Sequence, residues 1–322
     1  MPTRVGLTSA ATVDAMPEVA ELMPAARDRL HTAVLDWFDV HARDLPWRSE
    51  DCPPWGVMVS EIMLQQTPVA RVLPRWRKWM ERWPTPADLA AGSTAQVLTA
   101  WDRLGYPRRA LRLQQAAAAI VERHGGEVPA DPVALRALPG IGEYTAAAVS
   151  SFAFGIPETV VDTNVRRVIA RAVRGEGLPP ASLRRSEMRD ATALMPQDRD
   201  RANRWNAAVM ELGALVCTAR SPRCDDCPLL EQCAWVAAGR PEPEHAPRGQ
   251  AWAGTDRQLR GAVMAAVREA GTVEVGSVRE AVAETKRLGS HAPDEAQWAR
   301  CLAGLLDDGL LLERDGAYAF PD

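Results

Sequence analysis

LPGIGEYTAAAVSSFAFGIPETVVDTN, residues 138–164, is the stretch on which the reading of this chain turns. Leu138, Pro139, Gly140, Ile141 and Gly142 form a short turn between two helical patterns, so the segment predicts a helix, a tight hairpin and a second helix. Gly140 and Gly142 lack a Cβ, which lets the backbone turn sharply and come close to a ligand. The helix that follows offers unpaired amides and the positive end of its dipole. A phosphate is the natural ligand of such a turn. Tyr144 lies in the first turn of that helix, and Asp162 is reached after a break at Gly155 and Pro157, so both are expected at one cleft beside the hairpin. The plainer alternative is an ordinary helical corner punctuated by glycine.

Around this stretch, a chain of 322 residues predicts two or three domains with enough core to fold unaided. No window reaches the apolar length of a membrane span, and the N-terminus lacks the basic-then-apolar pattern of a signal peptide. A cytoplasmic, nucleoid-associated protein is expected. The net charge of −4 does not advertise nucleic-acid binding, but it is unevenly spread. Residues 43–125 carry +4 and 160–227 carry +3, against −5 for 228–322. Nearly all of the positive charge is arginine, since Lys78 and Lys286 are the only lysines.

Residues 1–24 mix Pro, Ala, Thr and Met without a period and read as a flexible tail. Residues 25–40 have the period of an amphipathic helix, with Leu30, Val34, Trp37 and Phe38 on one face. Helices are expected at 57–66, 69–83, 86–91, 94–103, 108–124, 132–137, after the hairpin, and at 165–173, 186–194 and 202–216. The last of these carries Trp205, Val209, Leu212 and Val216 into a cysteine-rich segment. Short helices, short loops and no alternating strand make this region all-α. Three prolines between 239 and 254 mark a linker, 239–256. Beyond it, 257–322 reads as helix, strand, helix, helix and a two-stranded hairpin, the order of a winged helix.

Cys217, Cys224, Cys227 and Cys233 follow the spacing C-x6-C-x2-C-x5-C. In a cytosolic chain such a cluster argues for metal rather than disulfides. Four thiolates can close a zinc site or hold an iron–sulfur cluster, and ligand softness does not choose between them. Zinc ribbons bring two Cys-x-x-Cys knuckles, and only Cys224 and Cys227 form one here, which tilts the reading towards a single 4Fe-4S cluster. Cys52 and Cys301 are isolated and read as plain thiols.

The hairpin LPGIGEYT, Asp162 eighteen residues past Tyr144, and the cysteine loop together resemble the helix-hairpin-helix DNA glycosylase superfamily that contains endonuclease III. Within it, SEIMLQQT (60–67), LPWR (45–48) and LGY (104–106) resemble the MutY family of adenine DNA glycosylases, over roughly residues 25–240. The resemblance implies a mainly α fold, a helical barrel domain and a 4Fe-4S helical domain over 25–238, to which the order of elements adds a small winged-helix-like α+β domain at 257–322. It also implies a monofunctional enzyme of base excision repair that binds double-stranded DNA, flips out an adenine mispaired with 8-oxoguanine or guanine, and hydrolyses its glycosidic bond. A monomer is expected.

The residue types suit that chemistry. Adenine is a poor leaving group, so a general acid must protonate a ring nitrogen as the bond breaks. Glu61, beside Ile62, Met63 and Leu64, can have its pKa raised by desolvation and serve as that acid. The developing sugar cation needs an ionised carboxylate held by hydrogen bonds, and Asp162 matches the family position. Without the motifs, Glu61 would read as a solvated helix residue and Asp162 as an N-cap. By resemblance, Leu45, Trp47 and Arg48 line the adenine pocket, Glu211 contacts the base from the far side, and Gln65, Gln66 and Tyr106 fill the gap left in the duplex. Gly140, Gly142 and Asn164 are expected at the DNA, and Arg166, Arg167 and Arg171 as a phosphate track. Bifunctional relatives carry a lysine nucleophile where this chain has Tyr144.

Two departures from the family pattern stand out. Thr163 replaces a glycine common after the catalytic carboxylate, and about eighty C-terminal residues are too few for the Nudix-like reader of 8-oxoguanine that longer members carry. Leu288-Gly289-Ser290-His291 superficially resembles the serine–histidine loop that reads the oxidised base, but is read as a plain helix-ending loop. The rivals are a thymine or uracil mismatch glycosylase of the same superfamily and a non-catalytic iron–sulfur DNA-binding regulator.

Overall fold

A computed structural model describes residues 24–243, 249 and 251–322. The tail expected at 1–24 lies outside the described residues apart from Pro24, and so does part of the linker. In chain order the helices are α1 (Pro24–His41), α2 (Pro54–Leu64), α3 (Val69–Arg82), α4 (Pro86–Ala91), α5 (Thr94–Trp101), α6 (Arg108–His124), α7 (Pro132–Arg136), α8 (Glu143–Phe154) and α9 (Thr163–Ala172). Then come α10 (Arg185–Ala193), α11 (Arg199–Leu215), α12 (Ala234–Ala237), α13 (Asp256–Ala270), α14 (Val278–Glu284) and α15 (Glu295–Asp307), with strands β1 (Thr272–Glu274), β2 (Leu312–Arg314) and β3 (Ala317–Ala319). The protein is mainly helical, as the pattern of short apolar periods predicts.

Local chemistry sets most of these limits. Thr85 and Asp88 form a reciprocal capping box at α4, and Ser93, Asp131, Asp162, Asp198, Thr255 and Asp294 each cap a helix through a side-chain oxygen. Two starts are displaced by three residues: α2 begins at Pro54 rather than 57 because Pro54 supplies a preset φ at the first helical position, and α11 begins at Arg199 rather than 202, where Asp198 caps it.

By compactness the chain forms two units. One comprises 43–160 and 247–322. In its first segment, α2 to α8 close around a core of Met58, Val59, Met63, Trp79, Leu98, Leu113 and Ile120. Tryptophans cross-brace it, their indole N–H groups bonding carbonyls of neighbouring elements: Trp55 to Trp83 at 3.1 Å, Trp76 to Gly56 at 2.9 Å, Trp101 to Gly105 at 2.9 Å. Residues 256–322 form the expected winged-helix-like sequence of elements, with an antiparallel sheet in the order β1-β3-β2, pairing Val273 with Tyr318 and Glu313 with Tyr318. Arg268 pairs with Asp102 at 3.8 Å and Arg108 with Asp308 at 3.2 Å, tying this segment to α5 and α6. His291 bonds Gln297 Oε1 at 2.9 Å, tying the 288–291 turn to α15.

The other unit comprises 1–42 and 161–246. Here α1, α9, α10 and α11 bury Val34, Leu194, Ala208 and Leu212. Trp205, Val209 and Leu212 of α11 and Val216 just past its end are all buried. His31 Nε2 donates to Leu194 O, 2.7 Å away, and the ring stands edge-on to Trp205. No helix of the described residues is long and apolar enough to cross a membrane.

Candidate active site and cysteine loop

The hairpin forms as read. Leu138 and Ile141 are buried and anchor it, and the Ile141 amide donates to Leu138 O at 3.2 Å. Gly140 has φ of 76°, and a Cβ there would lie 2.7 Å from Arg112 Cβ, so both conformation and space demand glycine. Gly142 is different: it is extended, caps α8 and faces open space, which leaves its surroundings clear for an approaching ligand.

Beside this turn, α2 is buried from Trp55 to Met63, and Glu61 is its one charged side chain. Glu61 is 6% exposed, and the Tyr144 hydroxyl donates to its Oε2 at 3.1 Å. One turn on, Gln65 Nε2 donates to Thr145 Oγ1 at 3.3 Å. The motif on α2 and the motif on α8, eighty residues apart, therefore meet side chain to side chain. Leu45 and Trp47 lie in the core beside α2, Trp47 edge-on to Trp76, and Arg48 is half-buried at the end of the same turn. Gln66 and Tyr106 are exposed, with φ of 55° and 47°.

Sequence reasoning missed the residue that holds these loops. Arg109, on α6, is buried and donates from Nη1 to Ile62 O, Met63 O and Gln65 O at 2.8, 3.2 and 2.5 Å, and from Nη2 to Thr67 Oγ1, Leu104 O and Gly105 O at 3.1, 3.2 and 3.0 Å. Burial pulls its pKa down to about 10, still charged at neutral pH. No motif flags it, since an arginine after LGYP reads as one more solvated cation. Replacing Arg109 with Met strands these carbonyls at about 1–3 kcal/mol for each that stays buried. The expected result is a markedly lower thermal midpoint, with Arg109→Lys between the two; an unchanged midpoint for Arg109→Met would refute the clamp.

In the other unit, Asp162 is the N-cap of α9 and its carboxylate is held on both oxygens. Oδ1 accepts from the Asn164 and Val165 amides at 2.8 and 2.7 Å, and Oδ2 from Asn164 Nδ2 at 2.7 Å. Burial raises the carboxyl above its ordinary 3.8, while the Val165 and Asn164 donors and the Arg167 charge pull it partly back. Thr163 takes the first helical position without a left-handed φ, so the missing glycine costs the turn nothing. The glycine that matters is Gly213 on α11, where a Cβ would stand 2.7 Å from Asn164 Cβ and 2.8 Å from Asn164 O. Backbone cannot rotate away, so Gly213→Ala is expected to cost about 1–3 kcal/mol and lower the midpoint of thermal unfolding. Retention of the wild-type midpoint would contradict the close packing. Glu211, on the same helix, is 1% exposed.

The arginine stripe is corrected by the structure. Arg166, Arg167 and Arg171 face neither phosphate nor water; all three are buried. Arg166 forks onto Glu187 at 2.8 and 2.9 Å, and Arg167 bonds Cys217 O, Gly213 O and Asn164 Oδ1 at 2.6, 2.7 and 2.8 Å. Arg171 bonds Gly177 O, Thr218 O and Ala219 O at 2.8, 2.6 and 3.1 Å and lies 3.4 Å from Cys217 Sγ. Five-donor guanidinium groups suit this work of gathering carbonyls from several loops.

Arg171 thereby shapes the cysteine loop. Cys217, Cys224, Cys227 and Cys233 line one cavity with Arg171, Leu230, Trp235 and Val236. Burial first, and then the neighbouring thiols, push Cys227 up to about 11 and raise Cys233 as well. Such thiols become thiolates only against a strong positive centre. Among the described residues no three His, Cys, Asp or Glu side chains are grouped to hold a single metal ion. Four thiols around one cavity suit a cluster with one thiolate per iron.

Comparison with known proteins agrees with both halves of this picture. Residues 59–192 match the HhH-GPD superfamily of base excision DNA repair proteins, and 217–233, beginning and ending on cysteine, match the iron-sulfur binding domain of endonuclease III. The chain is 49% identical over 287 residues to an adenine DNA glycosylase of Mycolicibacterium smegmatis, covering 89% of this chain and 94% of that one. It is 48% identical over 292 residues to one of Mycobacterium tuberculosis, with 90% and 93% covered. A thermostable thymine-DNA glycosylase superposes with a TM-score of 0.59 at 26% identity, covering 66% of this chain and 98% of that one. The cofactor of the present chain, whose residues 217–233 match the iron-sulfur binding domain, is accordingly a 4Fe-4S cluster. The chain belongs to the MutY family of adenine DNA glycosylases, within the helix-hairpin-helix base excision repair superfamily.

Proposed function

We propose that the protein is a monofunctional glycosylase that binds duplex DNA and hydrolyses the N-glycosidic bond of adenine mispaired with 8-oxoguanine or guanine, acting in the cytoplasm on nucleoid DNA. The observation that carries this reading is Glu61, a carboxyl buried in an apolar helix with the Tyr144 hydroxyl 3.1 Å from it. In this reading Glu61 donates the proton to a ring nitrogen of adenine, and Tyr144 orients it. Asp162, held by the amides of α9, stabilises the positive charge that grows on the sugar. Two carboxyl groups in contrasting surroundings divide the work of acid and electrostatic partner.

Leu45 and Trp47 shape the base pocket from the core beside α2, with Arg48 at its edge and Glu211 on the far side of the base. Gln65, Gln66 and Tyr106 occupy the space the base leaves, which requires side chains that replace lost stacking. The amides around Gly140 and Gly142 at the start of α8 bind a phosphate, and Asn164 fixes Asp162. Cys217, Cys224, Cys227 and Cys233 would hold the cluster, in the cavity that Arg171 of α9 also lines. A lysine nucleophile is missing from this scheme: Tyr144 holds the hairpin-helix position, and Lys78 and Lys286 are exposed on α3 and after α14.

The deciding experiment is single-turnover base release from duplexes with adenine opposite 8-oxoguanine, adenine opposite guanine and thymine opposite guanine. Adenine release without strand cleavage or a borohydride-trapped adduct is expected. Release of thymine instead, or binding with no release, would reject it.

A further inference from the structure

Among the described residues two aromatic side chains are exposed, Tyr106 at 43% and Trp252 at 53%, and one arginine joins them. Arg257, near the start of α13, donates from Nη1 to the Tyr106 hydroxyl at 3.3 Å, and its guanidinium carbon lies 5.0 Å from the centroid of the Trp252 ring. Large aromatic faces left in water beside a cation mark a contact surface rather than a core.

The backbone beneath this surface is strained and firmly held. Tyr106 has φ of 47°, a left-handed value that a bulky side chain adopts only where its surroundings impose it. Arg109 imposes it, bonding Gly105 O and Leu104 O while its guanidinium sits 5.6 Å from the Tyr106 ring centroid. The same Arg109 group bonds Gln65 O, at the end of the helix that carries Glu61. The other half of the surface is equally fixed, because α13 is pinned through Arg268 to Asp102 and through Arg260 to Asp308, and Asp308 also meets Arg108.

We propose that Arg257 and Trp252 complete the lesion-reading surface by contacting the purine opposite the extruded adenine, with Arg257 reading the carbonyl edge of that purine. This proposal rests on the adenine glycosylase reading above. A guanidinium donates to carbonyl oxygens: guanine offers O6 beside the N7 acceptor, and 8-oxoguanine, whose N7 carries a proton, offers O6 and O8. Trp252 adds a flat face on which a base can stack. The net charge of −5 over 228–322 argues that this segment contributes such local contacts and not a general attraction to phosphate. It gives the appended winged-helix-like segment a task that its size alone does not suggest.

The test uses the full-length protein and single-turnover release of adenine opposite either 8-oxoguanine or a stable abasic-site analogue, which offers no base to touch. Trp252 is exposed and Arg257 half-buried, so unaltered thermal midpoints of Arg257→Gln and Trp252→Ala verify folding. Each is expected to slow release opposite 8-oxoguanine by about tenfold more than release opposite the abasic analogue. Equal losses on both duplexes would show that Arg257 only props Tyr106, and would overturn the proposal, as would no loss on either. If the unaltered protein releases adenine from neither duplex, the glycosylase reading has failed and takes this proposal with it, a result distinct from an active enzyme indifferent to Arg257.

Discussion

Glu61→Gln is expected to abolish adenine release while the protein still folds and binds duplex. Glutamine has nearly the shape of glutamate and retains a carbonyl oxygen for the Tyr144 hydroxyl, which now donates to Oε2 at 3.1 Å. What it lacks is a proton to give. Because Glu61 lies in a helix buried from Trp55 to Met63, no bulk water stands ready to replace it as an acid. Loss of a positioned acid costs on the order of 10²–10⁴ in rate, and a leaving group as poor as adenine places the loss at the upper end. Single-turnover release from a duplex with adenine opposite 8-oxoguanine measures it directly, with duplex affinity as the control. A variant within tenfold of wild type would remove Glu61 from the chemistry and leave it a buried structural carboxyl.

Asp162→Asn is expected to separate stability from activity. Asparagine is as good an N-cap as aspartate, so the bonds from the Asn164 and Val165 amides survive; the bond from Asn164 Nδ2 to the other oxygen is lost. The pKa sets the sign of the remaining effect. The unfolded carboxyl titrates at its ordinary 3.8, and burial raises the folded one. The folded state therefore favours the protonated form, and this contribution to stability is fully present below 3.8 and lost as pH rises through the raised folded pKa. At neutral pH the charge on Asp162 is a cost to folding, and a neutral asparagine removes it. The thermal midpoint of Asp162→Asn should match or exceed that of wild type, while base release falls on the order of 10²–10³, the worth of one electrostatic group facing developing charge. Activity has the opposite pH sign, since it needs the ionised carboxylate: release should fall on acidification at a pH above that of an ordinary aspartate. A stable but fully active Asp162→Asn variant would make Asp162 merely a cap.

That a residue at a helix cap is both the structural answer and the chemical candidate shows how far local sequence carries the reading. Asp162 as an N-cap and Asp162 as a held carboxylate are the same geometry, because the amides that end α9 are the donors that fix the charge. The hairpin was legible for a similar reason: turns and caps depend on residues a few positions apart, and Gly140 at φ 76° meets a demand visible in its own neighbourhood. The cysteine spacing needed no fold at all.

The sequence by itself determined most helix limits, the hairpin, the order of elements in 256–322 and the spacing of the four cysteines. Periodicity, capping and ligand spacing are written over short separations. The tertiary structure decided what each arginine does. Arg166, Arg167 and Arg171 recur like a surface track, yet they bond groups up to fifty residues away, and Arg109 gathers carbonyls from two loops. Arg257 meets Tyr106 across 151 positions. A guanidinium has the same five donors whether its partner is water, phosphate or a backbone carbonyl, and only the path of the distant chain settles which of them it finds.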